Sequence, residues 1–336
     1  MINYSFIIVN YNSTDKIIRC INSIINTLNE NYEIIIVDNN SPDRDKLKSN
    51  KLFEKTKIIL NNINDGFGKA CNIGAINSSG QYLIFINPDT YFLSNVIPEI
   101  ITFYNRNINI GFVTCSMLDE SGNYSFTFND FYGIKYEINE AFGFGTNQSI
   151  QKKYKLIQEN YGKKIEVDWI TGSFMFISKE KFNTIGGFDE NFFLYYEDTD
   201  ICLRAYQSGL KNYVITYINI IHEGMSTVKS IEGEYIFFYH LNRSNLLYAY
   251  KHFNFFSRFF VRIIHIIGYS LRIALLNFRK KFKDKKKLKN IIYFDIIKLY
   301  LTPIKIIINN KNIDIPLKLK NLNLDKDLFQ NFLNNE

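Results

Sequence analysis

The 336 residues are 46% apolar and 16% aromatic, enough to bury one full core and carry an appendage, which excludes a disordered or fibrous chain. The formal charge of +7 equals the excess of one segment, residues 279–289 (RKKFKDKKKLK), where eight Lys/Arg face one Asp, so the remainder is neutral. That distribution argues against a body that tracks nucleic acid, whose motifs are missing, and leaves one short segment to meet an anionic surface.

Cys20, Cys71, Cys115 and Cys202 are widely spaced among apolar neighbours with no CxxC pair, which predicts buried thiols without a disulfide or zinc site. The opening MINYSFIIVNYN lacks a basic n-region and a small-residue cleavage site, so it reads as a buried strand. No stretch of about 18 residues is free of charge, so no membrane span is expected, and the cytoplasm is the default compartment.

Residues 4–9 and 33–37 are continuous apolar runs, and between them 15–28 place Ile17, Ile18, Ile21, Ile24, Ile25 and Leu28 on one helical face. Strand, helix, strand implies a parallel sheet. The alternation continues with strands over 57–60 and 82–86, helices over 67–77 and 94–104, and a strand over 111–115. In open sheets of this kind ligands sit beyond the carboxyl ends of the strands. Asp38 ends the second strand in Val37-Asp38-Asn39-Asn40-Ser41, where it can accept a hydrogen bond from a base ring. Asp89, fixed behind Pro88 in Asn87-Pro88-Asp89, can ligate a divalent cation that neutralises a diphosphate. Both are also ordinary turn formers. Asp65-Gly66-Phe67-Gly68 departs from a dinucleotide fingerprint, since the next glycine, Gly74, comes six residues after Gly68. It reads as a helix entry with close backbone approach, Asn72 offering an amide.

From 117 to 165 the pattern loosens after a hairpin at Ser121-Gly122-Asn123, as in an irregular substrate loop. The stretch Trp169–Arg204 then carries three carboxylates in four residues, Glu197, Asp198 and Asp200, between an aromatic run and a short helix that stops at Gly209. They can supply a general base. They can equally cap the helix, with Asp200 pairing to Arg204 at i,i+4. A strand over 212–216 leads to His222. Residues 232–252 are helical, and 253–278 set Arg258, Arg262, His265, Tyr269 and Arg272 as a polar stripe on an apolar helix. With the basic run behind it, this reads as an interfacial helix on anionic lipid, the alternative being packing on the domain or another subunit.

In order, these residues resemble family 2 glycosyltransferases, particularly the rhamnosyltransferase-like branch of bacterial surface-polysaccharide synthesis. The resemblance runs from residue 4 to about 250: Val9-Asn10-Tyr11-Asn12, Val37 to Ser41, Gly66-Phe67-Gly68 with Asn72 and Gly74, and Asn87-Pro88-Asp89. It continues through Trp169 with Gly172, Gly187-Phe188-Asp189-Glu190, Phe193 to Asp200 with Arg204, and His222. Asn87 departs from it, standing where many members carry the first Asp of a DxD metal motif.

The resemblance implies an α/β GT-A fold, a Rossmann-like, mostly parallel sheet flanked by helices. With the helical pattern and basic run of the last third, the chain divides into a catalytic domain at 1–228 and a helical, membrane-associating appendage at 229–336. The reaction implied is inverting transfer from dTDP-rhamnose or a UDP-sugar to a glycan or lipid-linked glycan acceptor. Asp198, with Glu197 beside it, would deprotonate the acceptor. Asn10, Asp38, Asn40, Gly68, Asn72, Asn87, Trp169 and Gly172 would line the nucleotide sugar, with Asp38 on the base. Asp89 and His222 would hold Mg2+ or Mn2+. The expected partners are the donor, the acceptor and an anionic membrane surface, and a homodimer is compatible with them. The alternative is a silent GT-A module that binds a nucleotide sugar or scaffolds an assembly.

Overall fold

The computed structural model describes residues 3–28, 31–49, 51–144, 146–224, 231–278 and 283–311. Residues 279–282 of the basic run lie outside them. The chain divides into two compact units. The first comprises Met1–Phe131, Asn147–Phe193 and Glu197–Gly224; the second gathers Tyr132–Thr146, Leu194–Tyr196 and the chain beyond Gly224.

The first unit begins with β1 (Tyr4–Asn10), α1 (Thr14–Thr27), β2 (Tyr32–Asp38), α2 (Asp45–Ser49), β3 (Lys57–Leu60), α3 (Phe67–Ile76), β4 (Tyr82–Ile86) and β5 (Thr90–Phe92). Next come α4 (Ile97–Tyr104), β6 (Ile110–Leu118), the short β7 (Phe128–Asn129), then, in the second unit, α5 (Ile134–Phe142). The first unit resumes with α6 (Thr146–Glu159), β8 (Lys164–Val167), β9 (Trp169–Ile170), β10 (Phe174–Ser178), α7 (Lys179–Ile185), α8 (Glu197–Gln207) and β11 (Lys211–His222).

The main sheet runs β3-β2-β1-β4-β10-β6-β11-β5, with β8 on β11. The pairs among β1, β2, β3 and β4, and β6 with β11, are parallel, whereas β10 is antiparallel to both β4 and β6. Continuous apolar strands fit a sheet covered on both faces. Phe6, Ile8, Ile36, Ile84 and Phe176 are buried in one core cluster with Ile17, Cys20, Ile21 and Ile24 of α1.

Register decides what gathers at one sheet edge. Asn10 lies opposite Asp38, and Ile8 opposite Ile86, so the segment after β4 emerges beside the end of β1. Phe174 pairs antiparallel with Ile86, which brings Gly172 and Ser173 to that edge, and His222 pairs with Thr90 just beyond Asp89.

Several expectations are corrected. The region 117–165 is not one irregular loop: after the Asp119–Asn123 turn it holds α5 and α6, the latter too polar to show an apolar period. The helix expected from 94 starts at Ile97, its N–H held by the Asn95 side chain, and β5 precedes it.

The second unit also holds α9 (Ile231–His252), α10 (Phe255–Phe278), α11 (Lys283–Leu301) and α12 (Ile304–Asn309). The polar stripe of α10 faces inward rather than toward solvent or headgroups. Arg262 donates to the carbonyls of Tyr300 and Thr302, His265 Nε2 lies 2.8 Å from Glu137 Oε2, Tyr269 donates to Asn242, and Arg272 donates to the Glu140 carbonyl. Packing satisfies this stripe because main-chain carbonyls and one buried carboxylate face it. By length and composition alone Phe255–Asn277 is long and apolar enough to cross a membrane, although Arg258, Arg262 and Arg272 interrupt it.

Helix α5 sits so close to α10 that a Cβ on Gly268 would meet the Ala141 carbonyl oxygen at 2.1 Å. Gly268→Ala is expected to cost about 2 kcal/mol by forcing the two helices apart. Denaturant melts reporting on the C-terminal helices would show it as a lower midpoint.

Candidate active site

The end of β1 and the end of β2 are tied through side chains. Asp38 is fully buried and engaged on both oxygens: Asn10 Nδ2 donates to Oδ1 at 2.8 Å, the Ser41 N–H donates to Oδ2 at 3.1 Å, and Arg44 Nε stands 3.4 Å away. These bonds make the carboxylate expected on a base also an organiser of the loop after β2. That loop presents Asn40, exposed, in the left-handed region at φ 63° and accepting from Arg44. Asn39, which motif reasoning passed over, is the hub beneath. It donates to Asn64 Oδ1 and the Gly66 carbonyl and accepts from Asn61. Asparagine clusters after a strand are a recoverable signal, since short amides bridge neighbouring loops.

The segment after β4 brings Asp89 to His222 at the end of β11, with Oδ1 3.4 Å from Nε2. Lys16 of α1 stands 3.7 Å from Asp89 and 3.0 Å from Glu223. Burial pushes the Asp89 carboxyl up, but His222 and Lys16 outweigh it and leave it below the usual carboxylate value. Ser173 Oγ lies 3.3 Å from His222 Nε2, and the Ser173 carbonyl accepts from the Asn87 N–H and Thr90 Oγ1. Asn87 is half-buried at this edge. A divalent cation fits the donor set: one carboxylate and the imidazole Nε2 converge, and the two leave most coordination positions to diphosphate oxygens. Among the described residues no group of three His, Cys, Asp or Glu converges.

The acidic trio sits in the first turn of α8, and the structure gives each member a different environment. Asp200 is fully buried and paired with Arg204 at 2.8 Å, whose other nitrogens reach the carbonyls of Ile185 and Gly187. The helix-capping and i,i+4 reading fits Asp200. Asp198 is only half-buried; its Oδ2 accepts the Gly172 N–H at 3.0 Å and its Oδ1 the Thr199 N–H at 2.8 Å. Burial raises its pKa, with those two N–H groups holding it back. Glu197 is buried with Oε2 unpartnered, and burial together with the Asp198 charge pushes it well above the usual range. A neutral Glu197 beside a charged Asp198 is the arrangement that like charges at close range favour.

Gly66 is required where it stands. At φ 97°, a Cβ there would lie 2.3 Å from the Phe193 carbonyl oxygen, which accepts the Phe67 N–H. Gly68 sits tight against Phe188, and Gly172 against the Phe67 ring. Two expected sugar-nucleotide contacts face elsewhere. Asn72 spends its amide on Phe188, donating to its carbonyl and accepting its N–H at 2.9 Å each, and Trp169 is buried with Nε1 donating to the Asp130 carbonyl. Paired polar atoms facing the protein's own backbone cannot serve a ligand without losing those bonds.

The raised Glu197 predicts a stability effect with a definite sign. The folded chain keeps this proton where the unfolded chain has lost it, so stability falls as pH climbs from the unfolded carboxylate value toward the folded one. Glu197→Gln is expected to match the wild-type melting midpoint in acid and to exceed it at neutral and higher pH. A constant difference across that range would contradict the protonated assignment.

Comparison with known sequences agrees with this geometry. The profile of glycosyl transferase family 2 matches residues 5–186, and that described as the N-terminal domain of galactosyltransferase matches residues 152–241. The chain is 26% identical over 226 residues to the rhamnosyltransferase WbbL of Escherichia coli K12, covering 64% of this chain and 81% of that one. It is 27% identical over 227 residues to the dTDP-rhamnosyl transferase RfbF of Shigella flexneri, covering 66% and 69%. Among solved structures, the mannosyltransferase PcManGT of Pyrobaculum calidifontis with GDP-Man and Mn2+ superposes with TM-score 0.53 at 10% identity, covering 89% and 87%. GalNAc-T7 with UDP, GalNAc and Mn2+ gives 0.52 at 17%, covering 90% of this chain and 56% of that one. These likenesses identify the fold as GT-A. With more than half its length matched by the profile, the chain belongs to glycosyl transferase family 2.

Proposed function

We propose that the chain is an inverting, divalent-metal-dependent hexosyltransferase. It moves a sugar from a nucleotide diphosphate, dTDP-rhamnose or a UDP-sugar, to a hydroxyl of a lipid-linked glycan in surface-polysaccharide synthesis. The observation that carries the reading is the Gly172-Ser173 pair: one residue holds Asp198, and the next adjoins His222, which in turn meets Asp89. The two rhamnosyltransferase relatives support the donor class, and the Mn2+ in both solved complexes supports the metal.

On this reading Asp198 accepts the acceptor proton while the Gly172 and Thr199 N–H groups keep its carboxylate oriented. A base on the acceptor side and a diphosphate leaving from the other give a single displacement, which inverts the anomeric centre. Asp89 and His222 would hold Mg2+ or Mn2+, which when bound neutralises charge on the departing diphosphate. Lys16 adds positive charge to the same place. Glu197, kept neutral, acts by shaping the field at Asp198. Asn10 and Asp38 fix the loop from which Asn40 reaches the nucleotide, and Gly66 with Gly68 lets the sugar approach the backbone. A lipid-linked acceptor puts the protein on the inner face of the cytoplasmic membrane.

Asp198→Asn is expected to lower turnover by about 10²- to 10⁴-fold while nucleotide affinity stays unchanged. Calorimetric titration with UDP, dTDP, GDP and CDP, with Mn2+ or EDTA, on wild type and Asp89→Ala tests the other half. Metal-dependent binding of one pyrimidine diphosphate, lost in Asp89→Ala, is the expected result. No binding to any of the four would sink the transferase reading in favour of a silent module.

A further inference from the structure

The second unit carries a surface that sugar transfer does not use. Along α10, Phe256, Phe260, Ile263, Ile267, Leu271 and Leu275 recur at steps of three and four and are exposed, Phe256 to 81% and Leu275 to 64%. The opposite stripe, Arg262, His265, Tyr269 and Arg272, is tied into the unit's interior. Only 28% of the most apolar stretch of this helix is buried. A continuous apolar stripe on a helix of 24 residues, roughly 36 Å long at 1.5 Å per residue, marks an interaction surface.

Charge identifies what covers it. The Lys286 ammonium donates to the Asn277 carbonyl at 3.2 Å, so the start of α11 lies beside the end of the apolar stripe. That start reads KDKKKLK, five lysines against one aspartate, while α10 has no acidic residue. A second copy docked on this face would find no carboxylate on α10 to meet those lysines. Phospholipid phosphates provide such acceptors beside acyl chains for Phe256, Ile263 and Leu271.

We propose that α10 and the first turns of α11 form the seat for an anionic bilayer, with α10 lying in the plane of the interface. A crossing orientation is disfavoured because the arginine and histidine stripe, with the α5 and α11 groups bonded to it, would have to enter hydrocarbon together. The proposal deepens the reading of a lipid-linked acceptor by naming the surface that meets the lipid. It rests on that reading only for its purpose.

The test is co-flotation of the full chain with vesicles of phosphatidylcholine alone or mixed with phosphatidylglycerol. Wild type should float with the mixed vesicles and be released by alkaline carbonate. Phe260→Ser/Ile263→Ser/Ile267→Ser should remain in the dense fraction with its melting midpoint retained. Lys286→Gln/Lys287→Gln/Lys289→Gln, which leaves the apolar face intact, should lose binding by about fivefold per lysine, as added salt does to wild type. Three results would overturn the proposal: undiminished flotation of both variants, carbonate-resistant insertion, or a lipid-free wild-type dimer that the serine variant dissociates. Flotation needs neither donor nor acceptor, so nucleotide titration of the same samples separates failure here from failure of the transferase reading.

Discussion

Two adjacent residues ahead of β10 hold the candidate site together. The Gly172 N–H goes to Asp198, the Ser173 carbonyl collects the Asn87 N–H and Thr90 hydroxyl, and the Ser173 hydroxyl stands beside His222. This is possible because β10 runs against its neighbours β4 and β6. A purely parallel sheet offers only strand carboxyl ends at one edge, with side chains beyond them. Inserting one antiparallel strand brings a strand's amino end there too, and with it main-chain donors that can orient a carboxylate without adding charge. Gly172 leaves little room, since a Cβ would press on the Phe67 ring at 3.3 Å and lie 3.8 Å from Asp198 Oδ2.

The acidic trio shows how position within one helical turn separates like residues. Asp200 points toward Arg204, whose Nε and Nη2 both meet its Oδ2 and whose guanidinium also serves two carbonyls. Asp198 points toward the Gly172 peptide and keeps exposure. Glu197 faces the interior near Cys71 with Oε2 unpartnered and no cation against it among the described residues, so protonation is the route by which it avoids a buried charge. The chain enters this turn through Tyr195 and Tyr196, both left-handed at φ 68° and 67°. Such residues cost about 1–3 kcal/mol each, a strain that persists only where surrounding structure enforces it.

The second unit inverts the usual amphipathic logic. Its buried centre is polar: Glu137 accepts from Asn245 on both oxygens and lies beside His265, whose ring stacks on Tyr300 at 4.7 Å and 4° between planes. The Tyr300 hydroxyl in turn lies 2.9 Å from Asn245 Oδ1 and 3.1 Å from Asn242 Oδ1, sharing its one proton between them. Networks of this kind specify one packing because every member must find its partner. With the polar stripe of α10 spent on that network, its aromatic and aliphatic side is left outward.

The strands, their order along the chain and the residues placed after them were legible because apolar period and turn chemistry are local properties. The family was legible because the ordered motifs from Asn10 to His222 survive in one dimension. Local pattern alone left Asp198 and Asp200 alike at a helix start; the resemblance assigned the base role to Asp198, and the fold sets its surroundings apart through Gly172, 26 positions away. Nor could local pattern show that Asn72 and Trp169 turn inward, or that Asn39 and Ser173 connect loops, because those bonds span about 20 to 120 residues. The stripe on α10 was legible as a period, but periodicity reports only that two sides of a helix differ, whereas which side is buried depends on the carbonyls and carboxylates that the rest of the fold sets against it.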